Sequence, residues 1–312
     1  MFKKRVYGPV PSRRFGLSLG VDMVKFKVCS YDCIYCQLGR TTDKTAKKQM
    51  FYNPEDVLHD VEQALKKGPR PDVITFAGSG EPTLYAGLGP VVTGIKELTD
   101  IPLILLTNGS MLSDSDVAQA AARCDIVAPS LDAGNAKAFQ KVNRPTPVID
   151  FDAMIKGLIS FRKLFRGQYR LEVFLTAGIT DNMDELKDLA ALIRQIQPDT
   201  IDINTAVRPV PGGMELKVSD LILVEAQRIF GPGASVIASF KREKGHAFED
   251  SRIDTQDVLE SLLRRPQTLL DLADALQAHP QEVLKHLTIL KSENRIISRQ
   301  ADKETFWSAH EE

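Results

Sequence analysis

Cys29-Ser30-Tyr31-Asp32-Cys33-Ile34-Tyr35-Cys36 gathers three of the chain's four cysteines into eight residues, and the fourth, Cys124, lies far away. Disulfide, metal and redox uses compete for such a group. A secreted disulfide framework needs an export signal and usually an even, denser set of cysteines. Neither is present: Lys3, Lys4 and Arg5 near the N-terminus are followed by no apolar run. A structural zinc site wants four ligands, commonly as two pairs. The five histidines (His59, His246, His279, His286, His310) are scattered, with none beside the cluster. Chance spacing of structural cysteines is the bland alternative, and it fits a short, polar, turn-rich segment poorly. What remains is an iron–sulfur site with three thiolates and one open corner, where ferredoxin-type centres use four cysteines. An iron without a protein ligand can bind a small molecule directly, which suits an active site better than an electron wire.

Around this motif the chain is ordinary. It has 312 residues, 43% hydrophobic and 26% charged, the mixture of a globular protein rather than a disordered or fibrous one. No run approaches the ~18 apolar residues of a membrane span. With no secretory signal either, a cytoplasmic location is expected. Lys and Arg number 40 against 41 Asp and Glu, and the net charge of −1 predicts nothing about partners. The charge is unevenly spread, however: residues 1–50 hold eleven basic and three acidic residues, a local net of +8.

Apolar runs of strand length at 17–24, 72–76, 102–106, 126–130, 170–176 and 200–204 alternate with helical patterns near 54–67, 87–99, 113–123, 150–165, 184–196 and 218–230. That alternation predicts an α/β fold with a parallel sheet, whose ligands gather at the carboxyl ends of the strands. Polar residues collect at those ends. Gly78-Ser79-Gly80-Glu81 follows the second strand, with glycines that permit close approach and a carboxylate for a cation. Thr107-Asn108-Gly109 follows the third, where turn-making alone is an equal explanation. Ser130 and Asp132 follow the fourth and share one side of an extended segment, although Asp132 also suits a helix N-cap. Asn143-Arg144-Pro145 offers a cation near the same rim, Glu172 and Thr176 on the fifth strand face the barrel interior or the rim, and Arg208 after the sixth reads as an anion binder or a solvated surface charge. Cys124 reads as a small buried hydrophobe.

The spacing Cys-x3-Cys-x2-Cys, with the aromatic Tyr35 before the last cysteine, resembles the radical S-adenosylmethionine (radical SAM) superfamily. The flanking Tyr7-Gly8-Pro9-Val10-Pro11-Ser12-Arg13-Arg14 and Cys36-Gln37-Leu38-Gly39-Arg40-Thr41 resemble an Fe–S oxidoreductase branch whose relatives include wyosine-base synthases acting on tRNA. Wyosine synthases carry additional cysteines, and their absence here speaks against direct equivalence. The resemblance implies a partial (β/α)6 barrel and a [4Fe–4S] cluster on Cys29, Cys33 and Cys36. The free iron would take the amino and carboxylate groups of S-adenosylmethionine. Gly78, Ser79, Gly80 and Glu81 stand where members hold the methionine ammonium, and Tyr35, Asn108, Ser130 and Asp132 join them as expected cofactor-binding residues. One electron from an external donor would split the sulfonium into methionine and a 5′-deoxyadenosyl radical that abstracts a substrate hydrogen. The residue acting on the substrate is unassigned. Lys25, Lys27 and Arg40 flank the cysteines, where positive charge would stabilise an anionic cluster.

A second unit closes the chain. Residues 1–235 are expected to form the barrel, 236–252 a linker rich in glycine and charge, and 253–312 a small domain. Stripes of Val258, Leu259, Leu262 and Leu263, then Leu269, Leu272, Ala273 and Leu276, then Val283, Leu284, Leu287 and Leu290 mark three helices. A hairpin around Gln300-Ala301-Asp302-Lys303 completes a winged-helix-like pattern. Its third helix would present Gln281, Lys285, His286 and Lys291. Yet residues 251–312 hold eight basic against eleven acidic residues, so protein docking or RNA guiding suits this unit at least as well as DNA reading. RNA, tRNA foremost, is the leading expected substrate, helped by Arg13 and Arg14 on a basic N-terminal arm; a peptide or a small metabolite is the alternative. The alternative is an iron–sulfur redox-sensing DNA-binding regulator, which leaves the motifs on successive strand ends unexplained.

Overall fold

Strand β1 (Val6–Ser12) runs antiparallel to β2 (Gly16–Val21). A short parallel pair, β3 (Val28–Cys29) and β4 (Asp43–Lys44), then brackets the rest of the cysteine loop. There follow in order α1 (Pro54–Lys67), β5 (Val73–Phe76), α2 (Leu88–Leu98), β6 (Leu103–Thr107), α3 (Ser115–Ala121) and β7 (Ile126–Pro129). Next come α4 (Ala136–Val142), α5 (Phe151–Leu164), β8 (Gln168–Leu175), α6 (Met183–Ile196), β9 (Thr200–Thr205), α7 (Asp220–Phe230) and β10 (Ala234–Val236). These ranges belong to a computed structural model, which describes residues 5–12, 14–210, 213–237, 253–301 and 304–310. Lys3, Lys4, Arg13, Asp302, Lys303 and nearly all of the expected linker lie outside the described residues.

The eight strands order as β1-β2-β5-β6-β7-β8-β9-β10, parallel from β2 onward, and the two edges do not pair with each other. This is the α/β partial barrel that the sequence pattern predicts. The sheet curls: Arg14, between β1 and β2, pairs with Glu172 on β8 and lies 3.5 Å from Asp202 on β9. Strand β8 shows what divides its two faces. Tyr169, Leu171, Val173 and Leu175 are buried toward the helices, and Arg170, Glu172 and Phe174 alternate with them on the inner face.

Helices begin where short polar side chains accept orphan backbone N–H groups. Asn53 takes that of Glu55, Asp150 that of Ala153, Asn182 that of Glu185 and Ser219 that of Ile222. The expected strand 17–24 stops at Val21, because Asp22 turns its carboxylate to the N–H and hydroxyl of Ser79. The elements β1, β3, β4, β10 and α4 are not among the expected ones. Each is short or irregular, too brief for hydrophobic periodicity to announce it.

At the C-terminus, α8 (Thr255–Arg264), α9 (Leu269–Leu276) and α10 (Pro280–Ser292) lead to an antiparallel pair, β11 (Ile296–Ala301) and β12 (Glu304–Ala309). Val258, Leu262, Leu272, Val283, Leu287, Leu290 and Ile296 form a hydrophobic cluster of their own. The unit rests on both margins of the open sheet. Arg264 stacks 3.9 Å from the ring centroid of Tyr7 on β1, and Asp271 of α9 pairs at 3.2 Å with Arg208, just past β9. Among the described residues no helix is long and apolar enough to cross a membrane.

Candidate active site

The cysteine loop lies at the carboxyl ends of the strands, seated by backbone hydrogen bonds. Asp32 and Ile34 donate to the carbonyls of Asn143 (3.0 Å) and Val142 (2.9 Å), Thr146 donates to Ser30 (2.8 Å), and Cys36 donates to Cys33 (3.0 Å). Cys29, Cys33 and Cys36 are free, half-buried thiols. Burial pushes all three upward, Cys29 to about 12 with help from the Glu81 charge, and the charges of neighbouring thiols add to the rise at Cys29 and Cys33. Two asparagine amides oppose that trend. Asn108 Nδ2 lies 3.5 Å from the Cys29 sulfur, and Asn143 Nδ2 lies 3.4 Å from the Cys33 sulfur.

This donor set fits an iron–sulfur cluster. Among the described residues, no three Cys, His, Asp or Glu side chains converge on a single metal ion. A four-iron cluster asks something wider, one thiolate at each of several corners. Three buried polar atoms of the loop and its bed have no hydrogen-bond partner: Tyr31 Oη, Gln37 Oε1 and Asn143 Oδ1. Buried polar groups are nearly always satisfied, so these three orphans beside the thiols leave polar valence for an additional group.

The other expected residues fall around this loop in differing roles. Glu81 is 2% exposed. Its carboxylate accepts from Thr83 N and Oγ1, from Thr107 Oγ1 at 2.6 Å and from Asn108 N at 2.7 Å. About four lone-pair sites are all a carboxylate offers, so in this structure Glu81 ties the β5 and β6 loops together. Gly80 has no room for a side chain, because a Cβ would strike the carbonyl of Val28 beside Cys29. Gly78 likewise abuts Asp22. Asp132 accepts from Tyr35 Oη (2.5 Å), Asn143 Nδ2 (2.7 Å) and Phe174 N (3.0 Å), and burial raises its carboxyl against those bonds. Tyr35 stacks on Phe174 with ring centroids 3.9 Å apart. Ser130 is half-buried and bridges to Glu172 on β8. Thr176, expected near the rim, is fully buried against Thr180.

Arg14 corrects an expectation. It is not available on a basic arm, because it enters the barrel and joins Glu172, Asp202 and Arg170. Asp202 is wholly buried and takes a two-pronged contact from Arg170 at 2.8 and 3.1 Å. Arg208 is also no solvated charge, since its side chain is 11% exposed beside Asp271. Asp22, Phe174 and the side chain of Asn143 join the site without having been among the expected residues. Only the alternation along β8 pointed at Phe174, and no local pattern pointed at the other two.

A three-thiol loop at the carboxyl ends of an open parallel barrel is a place for enzyme chemistry, and the radical SAM superfamily model matches residues 23–193. The chain belongs to the radical SAM superfamily, whose members use a [4Fe–4S] cluster and S-adenosylmethionine. It is 33% identical over 307 residues to a UPF0026 protein of Helicobacter pylori, covering 97% of both chains. A Brachyspira hyodysenteriae protein named GTPase Obg is 38% identical over 288 residues. The match takes 91% of this chain but 42% of that protein. The Gly-x4-Gly-Lys-Ser/Thr loop that cradles nucleotide phosphates is absent from this sequence. Among solved structures, TYW1 with a lysine-pyruvate adduct bound aligns with a TM-score of 0.55 at 14% identity, over 72% of this chain and 75% of that one. It shares the fold.

Proposed function

We propose that this radical SAM enzyme abstracts hydrogen from an RNA substrate, tRNA foremost, and stands in the branch related to wyosine-base synthases. The observation that carries the RNA reading is a set of exposed cations on the segments flanking the cysteine loop: Lys25, Arg40, Lys44 and Lys47. The β3–β4 pairing sets Lys44 opposite Cys29, so a polyanion held there lies beside the cluster site. When bound on Cys29, Cys33 and Cys36 and reduced by an external donor, the cluster with S-adenosylmethionine supplies a 5′-deoxyadenosyl radical.

The chain's own residues position and shield that chemistry. Gly78, Ser79 and Gly80 hold backbone close to the loop, and Glu81 and Asn108 fix the two strand ends beneath it. Asp132 fixes Tyr35, whose ring on Phe174 walls the site from water. Ser130 offers a hydroxyl at the same rim. The barrel, whose last strand β10 ends at Val236, is the catalytic unit, and residues 253–312 form a winged-helix domain that guides RNA or docks a protein. A DNA-reading regulator gains no support, because Lys285 and Lys291 of α10 sit in a unit of net negative charge.

Anaerobic reconstitution tests the chemistry. Dithionite and S-adenosylmethionine are expected to yield 5′-deoxyadenosine with wild type and none with Cys33→Ala; no product from wild type, with Cys33→Ala behaving identically, overturns it. RNA association is expected to weaken steeply with salt, and Lys44→Ala to lower the logarithmic salt slope by about 1. Salt-independent or absent RNA binding counts against the substrate.

A further inference from the structure

We infer that Asn143 is a positioning residue for the cluster: its amide holds the Cys33 sulfur and makes the bound cluster easier to reduce. The inference rests on the proposed cluster ligation by Cys29, Cys33 and Cys36. Asn143 is 2% exposed and caps the C-terminus of α4. Its side-chain Nδ2 carries two hydrogens, and both are spent: one on Asp132 Oδ2 at 2.7 Å, the other toward Cys33 Sγ at 3.4 Å. Its Oδ1 is buried with no partner, so the amide's orientation is fixed by those two contacts alone. Asp132 cannot swing aside, since it also holds Tyr35 Oη and the Phe174 N–H. The backbone of Asn143 acts on the same loop, because its carbonyl receives the Asp32 N–H at 3.0 Å. One residue therefore grips the loop by main chain and by side chain.

An N–H donor on a coordinating thiolate draws electron density from the sulfur. It favours the more negative, reduced state of a cluster and so raises its potential. Nothing further is needed to balance the step: one electron enters, and no proton or bond moves.

The test is an EPR-monitored redox titration of the reconstituted full-length protein without S-adenosylmethionine, with iron and sulfide content measured alongside. Asn143→Leu keeps the approximate size and loses the donor without adding a charge. At the wild-type midpoint its ratio of reduced to oxidised cluster is expected to fall roughly two- to tenfold, the factor one hydrogen bond of ordinary strength supplies. Asn143→Ala is expected to shift the same way. Loss of cluster uptake in a variant whose apo form melts like wild type also supports the grip on Cys33. Full loading with an unchanged midpoint and EPR signal in both variants overturns the inference. A wild-type protein that takes up no cluster overturns the ligation reading instead.

Discussion

Gly80 and Cys29 meet where one backbone presses on another. Because a Cβ at position 80 would strike the Val28 carbonyl, Gly80→Ala is expected to cost about 1–3 kcal/mol by overpacking. It should also lower iron uptake by displacing Cys29, read by denaturant unfolding and by iron content. The Cys29 thiol makes a pH-dependent contribution. Burial holds its proton from the ordinary 9.0 up to about 12, so between those values the unfolded chain has lost a proton that the native apo chain keeps. That contribution is complete below pH 9 and is lost as pH rises toward 12. Cys29→Ser is therefore expected to flatten the alkaline decline of apo stability, measured by thermal melts across that window; an identical slope refutes it. The cysteines were legible because spacing alone declares them. Asn143 was not, since its meaning depends on Cys33, 110 positions earlier, being folded against it.

Among the elements, the inner faces of β8 and β9 carry the polar load of the barrel. Glu172 and Asp202 are register partners, so their side chains share the inner face, where Arg14 and Arg170 meet them. Removing a partner from a buried network strands a charge, so Asp202→Ala is expected to destabilise the chain by about 3–5 kcal/mol. Urea unfolding checks this, and a cost below 1 kcal/mol would show the arginines satisfied elsewhere. All six strands and six helices expected from periodicity are present, with ends shifted by a few residues. They were legible because burial on a helix or sheet face repeats every few residues. Helix α4, two turns long, has too few residues to repeat anything, although it forms the bed of the cysteine loop.

At the scale of the whole molecule, the C-terminal unit spans the opening of the barrel. Arg264 on Tyr7 and Asp271 on Arg208 join it to opposite margins of the sheet. Tyr7 in turn lies over Gly20, where no Cβ fits beneath its ring, and reaches the carbonyl of Ala77 at 3.4 Å. Arg264→Ala is expected to remove about 1–2 kcal/mol of cation–π stabilisation. Amide hydrogen exchange in β1 should speed up while that of β6 stays unchanged; equal rates in both variants would separate the unit from the sheet edge. What the sequence determined by itself was local: three thiolates by their spacing, an α/β sheet by its alternation, a helical appendage by its stripes. Arg14 read as a residue of a basic arm and is an interior one, while the partners of Glu81 (four protein donors) and of Asp132 (three) come from loops far apart in the chain. Only the tertiary structure decided these. A charged side chain's role depends on which strands curl to face it, and that pairing over long sequence separations leaves no periodic trace.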